Sequence, residues 1–182
     1  MRRPTIKTLE DAYEFVSREG ICTLFSSKLS EVKSLWDNID LPEEGGGRTK
    51  WGARVEAVWL WKNELPEVYP DDMFYGKIKG GLAVLMSMDY LRTIHYPKEK
   101  KAIEACSQLA QNVYEVLRLD AWETGPLRKE VIALHGCSKS QFDSALKQLQ
   151  ISLNIARSNE PGLKNDVWLP FSELYLGFEE DE

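Results

Sequence analysis

The side chains with the clearest chemical capacity lie between Lys139 and Gln148. Lys139 opens a helical stretch in which Ser140, Gln141, Ser144, Lys147 and Gln148 fall on one side at about 100° per residue. Phe142, Ala145, Leu146 and Leu149 fall on the other. Hydroxyls, amides and two ammonium groups so arranged offer donors and acceptors with little net charge. A helix lying in the major groove of a duplex needs that combination, because base edges are read by hydrogen bonds. An ordinary solvated helix face satisfies the same pattern, and helix-turn-helix geometry also serves protein contacts.

Other chemistries find weaker support. A metal site needs three or four converging His, Cys or carboxylate ligands. His135 and Cys137 share a turn, but they have no partner pair near in sequence, with His95 and Cys22 far off. Neither a metal nor a cofactor is expected. The three cysteines, Cys22, Cys106 and Cys137, are odd in number and widely spaced, so they imply no disulfide framework. Neither His95 nor His135 accompanies a Gly-x-Ser-x-Gly elbow. Gly45-Gly46-Gly47 lacks the preceding strand and following Lys-Ser or Lys-Thr of a phosphate loop. Among carboxylates, Glu56 and Glu64 share a Trp-rich helix, and Asp71-Asp72 precede a hairpin. A Glu buried beside Trp has a raised pKa and can act as an acid, whereas a surface Glu in an ion pair is far commoner. The tryptophans could stack on an unpaired base, but their close spacing on one helix favours core packing.

The elements that would position the Lys139–Gln148 face are readable. Thr124 is the expected N-cap of a helix with Pro126 in its first turn and Leu127, Val131, Ile132 and Leu134 inward. His135-Gly136 ends it and Ser138 caps the next helix. A strand through Ile151–Arg157, a polar loop and a return strand from Val167 complete a winged helix-turn-helix pattern. Arg157, Asn159, Lys164 and Asn165 are then expected on the wing, against nucleic-acid backbone or minor groove.

Upstream, Thr8 caps an amphipathic helix to Glu19 with Asp11 in the capping-box position, and Gly20 ends it. Ile21–Phe25 reads as extended, and Ser30 as the cap of a brief helix through Trp36. A polar loop spans Asp37–Lys50. Trp51–Leu65 reads as a helix apolar nearly all round, hence buried on several sides, and stopped by Pro66. Phe74–Ile78 and Leu82–Met86 flank Lys79-Gly80-Gly81 as a hairpin. Ser87–His95 reads as a short helix with Met88, Leu91 and Ile94 inward. Lys101–Leu119 reads as one long amphipathic helix, Phe171–Phe178 as a closing turn and Glu179–Glu182 as a disordered acidic tail.

The order of three helices and a hairpin thus occurs twice. The expected fold is mainly α with small β-hairpins, an α+β class built from tandem winged helix-turn-helix units. Residues 1–97 would form the N-terminal unit, 98–178 the C-terminal one and 179–182 the tail.

Composition bounds the partners. A chain of 182 residues holds one medium domain or two small ones. Net charge is −6 and pI about 5.1, against the basic footprint usual in strong nucleic-acid binders. The tail carries −4 of this, and Thr124–Val167 carries +2. Such a module would touch a few phosphates and lose affinity quickly with salt. No apolar run approaches the roughly 20 residues that cross a bilayer, and the basic start leads into an amphipathic helix. A cytoplasmic protein without membrane contact is expected.

Several stretches resemble AlkZ-type proteins: Gly125–Glu130, Phe142–Leu146, Trp168–Pro170, and the Trp helix Glu56–Lys62 followed by Phe74-Tyr75-Gly76. That superfamily is built from tandem winged helices, and its enzymes are bacterial DNA glycosylases that unhook crosslinks and excise alkylated bases. The resemblance implies a DNA-repair context with duplex DNA as partner. Its enzymes carry a catalytic Gln-x-Gln or Gln-x-Asp in the N-terminal unit, where it positions the attacking water. The comparable stretch here, Leu24–Lys28, has neither Gln nor Asp. Every Gln lies later: Gln108, Gln111, Gln141, Gln148 and Gln150, the last read as a surface residue. The leading expectation is therefore a DNA-binding relative of the glycosylases without their activity. An active glycosylase using another carboxylate remains open, as does a protein-interaction module that forms a homodimer or meets a basic protein partner.

Overall fold

A computed structural model describes residues 5–178, and the acidic tail lies outside them. The chain is a mixed α+β protein with two three-stranded antiparallel sheets. It divides into two compact units, Met1–Tyr75 with Leu82–Thr93, and Gly76–Gly81 with Ile94–Glu182.

The first unit opens with α1, Leu9–Glu19. Its capping box forms as expected: Thr8 accepts the Asp11 N–H and Asp11 accepts that of Thr8. Gly20 ends it at φ 81°, and a Cβ there would lie 2.7 Å from the Tyr90 ring. Strand β1, Ile21–Thr23, follows. Helix α2, Leu35–Asn38, is capped by Ser34, not Ser30; the Ser30 hydroxyl closes a turn onto Val32 instead. Helix α3, Ala53–Val68, passes through Pro66. A proline so near the C-terminus removes only one donor from the last turn, and Tyr69 N–H still reaches the Leu65 carbonyl. Strands β2, Met73–Ile78, and β3, Leu82–Ser87, form the expected hairpin, and the sheet order is β1-β3-β2. Helix α4, Met88–Tyr90, runs into a π-helical turn, Leu91–His95. The core gathers Phe15, Val16, Leu35, Val58, Trp61, Leu65 and Leu85.

Helix α3 is not buried all round. Val58 and Trp61 face the core, whereas Trp59 and Leu60 are 52% and 53% exposed, and Trp51 precedes the helix at 65%. Ile94, expected inward, is also exposed.

In the second unit, α5 spans Tyr96–Glu99. The single helix expected over Lys101–Leu119 is instead a 3-10 turn, Ile103–Ala105, followed by α6, Gln108–Leu119, with Ser107 as N-cap. A two-residue strand β4, Trp122–Glu123, precedes α7, Thr124–His135. Thr124 is the first helical residue and not the cap. Its Oγ1 accepts the Trp168 indole N–H at 2.7 Å. Leu127 and Val131 are buried, but Leu134 is exposed. Gly136, left-handed at φ 65°, ends α7. Helix α8, Lys139–Ile151, follows, then β5, Ile155–Arg157, β6, Val167–Pro170, and α9, Phe171–Leu174. The sheet order is β4-β6-β5. Its core joins α6, α7 and α8 through Val113, Leu117, Leu127, Val131, Phe142 and Leu149, with Trp168 from the sheet. An aromatic group of Tyr96, Phe171, Tyr175 and Phe178 closes the end of the unit.

Candidate nucleic-acid interface

Helix α8 is held by its buried seam and its cap. Phe142 and Leu149 are fully buried, Ala145 and Leu146 nearly so. Ser138 Oγ accepts the Gln141 N–H at 3.1 Å, and Gln141 Oε1 accepts the Ser138 N–H at 2.8 Å. This reciprocal box fixes the first turn. Phe142 alone contributes about 1.5–3 kcal/mol by burial. With the seam inward, Lys139, Ser140, Gln141, Ser144 and Lys147 are exposed and Gln148 is half-buried.

Hydrogen bonding divides that set. Gln141 has its carbonyl oxygen engaged in the cap. Gln148 Oε1 accepts the Ser107 N–H at 3.1 Å, which anchors α8 to the start of α6. Ser140, Ser144, Lys139 and Lys147 remain as the outward groups. The acid on this helix, Asp143, pairs with Arg128 of α7 at 3.0 Å, so its charge is balanced beside the face. A cleft of about 1100 Å³ runs along this side, and Lys101, Asn112, His135 and Lys147 line it. Lys79 lines it too. Burial and the neighbouring Lys147 charge push the Lys77 ammonium below its ordinary pKa. His135 Nδ1 lies 3.3 Å from Asn112 Nδ2.

The wing residues separate as well. Arg157 is only 7% exposed and its guanidinium meets Asp166 at 3.5 Å. Helix α9 packs on both β5 and β6, and all three residues of β5 are buried. Asn159 donates to the Tyr175 hydroxyl at 3.3 Å, and burial pushes that phenol up to about 12. Asn165 donates to Glu123 at 3.1 Å. Lys164 is exposed on the loop between β5 and β6. Gln150, expected at the surface, is 6% exposed. Its Nε2 donates to the Leu146 carbonyl.

Glu56 does not have the environment of a catalytic acid. Its carboxylate accepts backbone N–H groups of Arg48 and Thr49, and hydrogen bonding from Thr49 holds its pKa below the ordinary value. It anchors the glycine-rich loop: a Cβ on Gly47 would collide with its Oε2. In the Leu24–Lys28 stretch, Ser26 donates to Asp37 at 2.6 Å. Hydroxyls of Ser26 and Ser34 hold Asp37 ionised, below the usual range. Of its two partners, Ser34 is the cap of its own helix and only Ser26 comes from a separate segment, which periodicity does not show. Among the described residues no group of three His, Cys, Asp or Glu is placed to hold a metal ion. No helix among them is long and apolar enough to cross a membrane.

Fold and site together define an α+β protein that presents a polar, weakly basic helix face on a tightly packed apolar seam. A profile of the AlkZ-related family matches residues 6–165, and the chain belongs to that family. Neither the curated proteins nor the solved structures give a match.

Proposed function

We propose that this chain binds duplex DNA through α8, as a tandem winged-helix relative of the DNA-repair glycosylases that lacks their base-excision activity. The observation that carries the reading is the orientation of α8. Its apolar seam is buried, and Ser140, Ser144 and Lys147 face solvent along an open cleft. Membership of the AlkZ-related family supports a DNA context. Lys147 and Lys164 supply phosphate contacts, and the hydroxyls of Ser140 and Ser144 meet base edges. The absence of a Gln-x-Gln or Gln-x-Asp at Leu24–Lys28 and the use of Glu56 as a loop anchor support the reading without excision.

The test is duplex retention at low salt by the Lys147→Glu/Lys164→Glu double variant. Loss of retention without a change in melting temperature supports the reading, and unchanged retention overturns it. Incubation of the wild-type chain in excess with alkylated duplex should leave no abasic sites.

A further inference from the structure

The first unit carries a group of aromatic rings outside its core. Phe25 and Trp59 are 36% and 52% exposed. Half-buried Trp36 lies beside Phe25, with centroids 5.8 Å apart, and Phe25 lies 5.7 Å from Trp59. The rings are tilted rather than stacked, at 41° and 53°. A folding chain gains by burying such rings, so their position in solvent needs another account.

The group is held rigidly. Arg54 sits 4.2 Å from the Trp36 ring and donates twice to the Trp36 carbonyl, at 3.0 and 2.6 Å. A side chain of α3 therefore locks the indole of α2 in place. Lys62, one turn along α3 from Trp59, places its ammonium 5.6 Å from that ring and 5.2 Å from Tyr75. The two acids bonded into this region are engaged: Glu43 pairs with Arg54, and Asp37 accepts from Ser26 and Ser34. Fixed rings with a cation over one of them match one ligand chemistry well. Unpaired bases stack on aromatic faces, and the phosphates joining them pass the positive charge.

We propose that Phe25, Trp36 and Trp59 form a stacking platform for single-stranded nucleic acid, with Lys62, beside Trp59, as the cation that meets a phosphate. The platform is made of first-unit residues alone and does not depend on the duplex reading of α8. Phe25 and Trp59 bear stacked bases. Trp36, clamped by Arg54, sets the position of Phe25.

The experiment is fluorescence anisotropy of a labelled oligo-dT strand with the full chain. The wild type should bind. Phe25→Ala and Trp59→Ala should each weaken binding by roughly 5- to 150-fold, the alanine effect for one stacked base. Trp59→Phe should keep most of the affinity. Both truncations remove exposed side chains, and an unchanged melting temperature confirms folding. The Lys147→Glu/Lys164→Glu variant should bind the strand like the wild type, which separates this site from the duplex one. Failure of the wild type to bind, or binding by both alanine variants as tight as that of the wild type, overturns the proposal. So does a dimer in sedimentation that Trp59→Ala dissolves while strand binding is unmoved, because the platform would then be a protein contact.

Discussion

Gln148 of α8 accepts the backbone N–H of Ser107 at 3.1 Å, and Ser107 is the N-cap of α6. The outward helix is thus fastened to its neighbour by one of the amides that its polar stripe had offered to a ligand. Gln141 is engaged likewise in its own helix cap. The groups that face outward with their hydrogen-bonding capacity intact are therefore shorter or charged: Ser140, Ser144, Lys139 and Lys147.

Replacing Gln148 by Ala should lower the unfolding free energy by about 1 kcal/mol, the net worth of one hydrogen bond. Duplex affinity should stay at the wild-type value. Urea denaturation and a binding titration check the two halves. A large loss of affinity at unchanged stability would make Gln148 a reading residue.

The bond from the Trp168 indole to Thr124 predicts a larger effect. Trp168 is 5% exposed, so Thr124→Val leaves a buried donor without its partner. The cost should be about 1–3 kcal/mol in urea denaturation. Thr124→Ser, which keeps the acceptor, should recover most of it.

These two contacts show what the sequence did and did not disclose. The Thr8-x-x-Asp11 capping box and the Ser138 cap were legible, because both are local patterns followed by apolar periodicity, whereas the part of Gln141 in the second box was not read. The buried seam of α8 was legible for the same reason. Strand β4 was not, since two residues have no periodicity and pair only through the distant β6. Ser30 and Ser34 are equivalent by type, and only the bond that the Asp37 N–H donates to Ser34 Oγ distinguishes the cap. Arg157 reads as a wing residue because it stands where the strand gives way to the polar loop. The structure places it in the sheet, 7% exposed and paired with Asp166, a tertiary outcome that no local pattern announces. Trp59 erred in the other direction: an apolar residue on a Trp-rich helix reads as core, and it stands in solvent.

Glu56 should make the Gly45–Lys50 loop sensitive to acid. Its pKa is lowered in the folded chain from an ordinary 4.5. A depressed carboxylate pKa stabilises the fold above the unfolded value, and this contribution disappears as pH falls through the folded one. Glu56→Gln should therefore speed proteolytic cleavage within the loop at neutral pH. Wild type and variant should converge below the ordinary carboxylate range. Equal cleavage at neutral pH would contradict the anchoring role.

The three thiols should react in a fixed order. Cys137 is half-buried, whereas Cys22 and Cys106 are buried. Burial pushes the Cys22 thiol up to about 12, so almost no thiolate exists near pH 8. A disulfide reagent at that pH should label Cys137 first and leave Cys22 untouched until the chain is unfolded. Mass spectrometry of the labelled peptides reads the order, and early labelling of Cys22 would mean that the β1 core opens in the native state.

The central claim is that the Ser140–Ser144–Lys147 face of α8 meets a polynucleotide. Fluorescence polarisation of a labelled duplex, titrated at two salt concentrations with the wild type and with Ser144→Trp, tests it most directly. The account predicts binding at low salt that weakens as salt rises, with a log–log slope of about −0.9 per phosphate contacted. It also predicts that Ser144→Trp, a bulky group on an exposed site, abolishes binding without loss of stability. Binding that ignores salt, or that Ser144→Trp leaves intact, would contradict it.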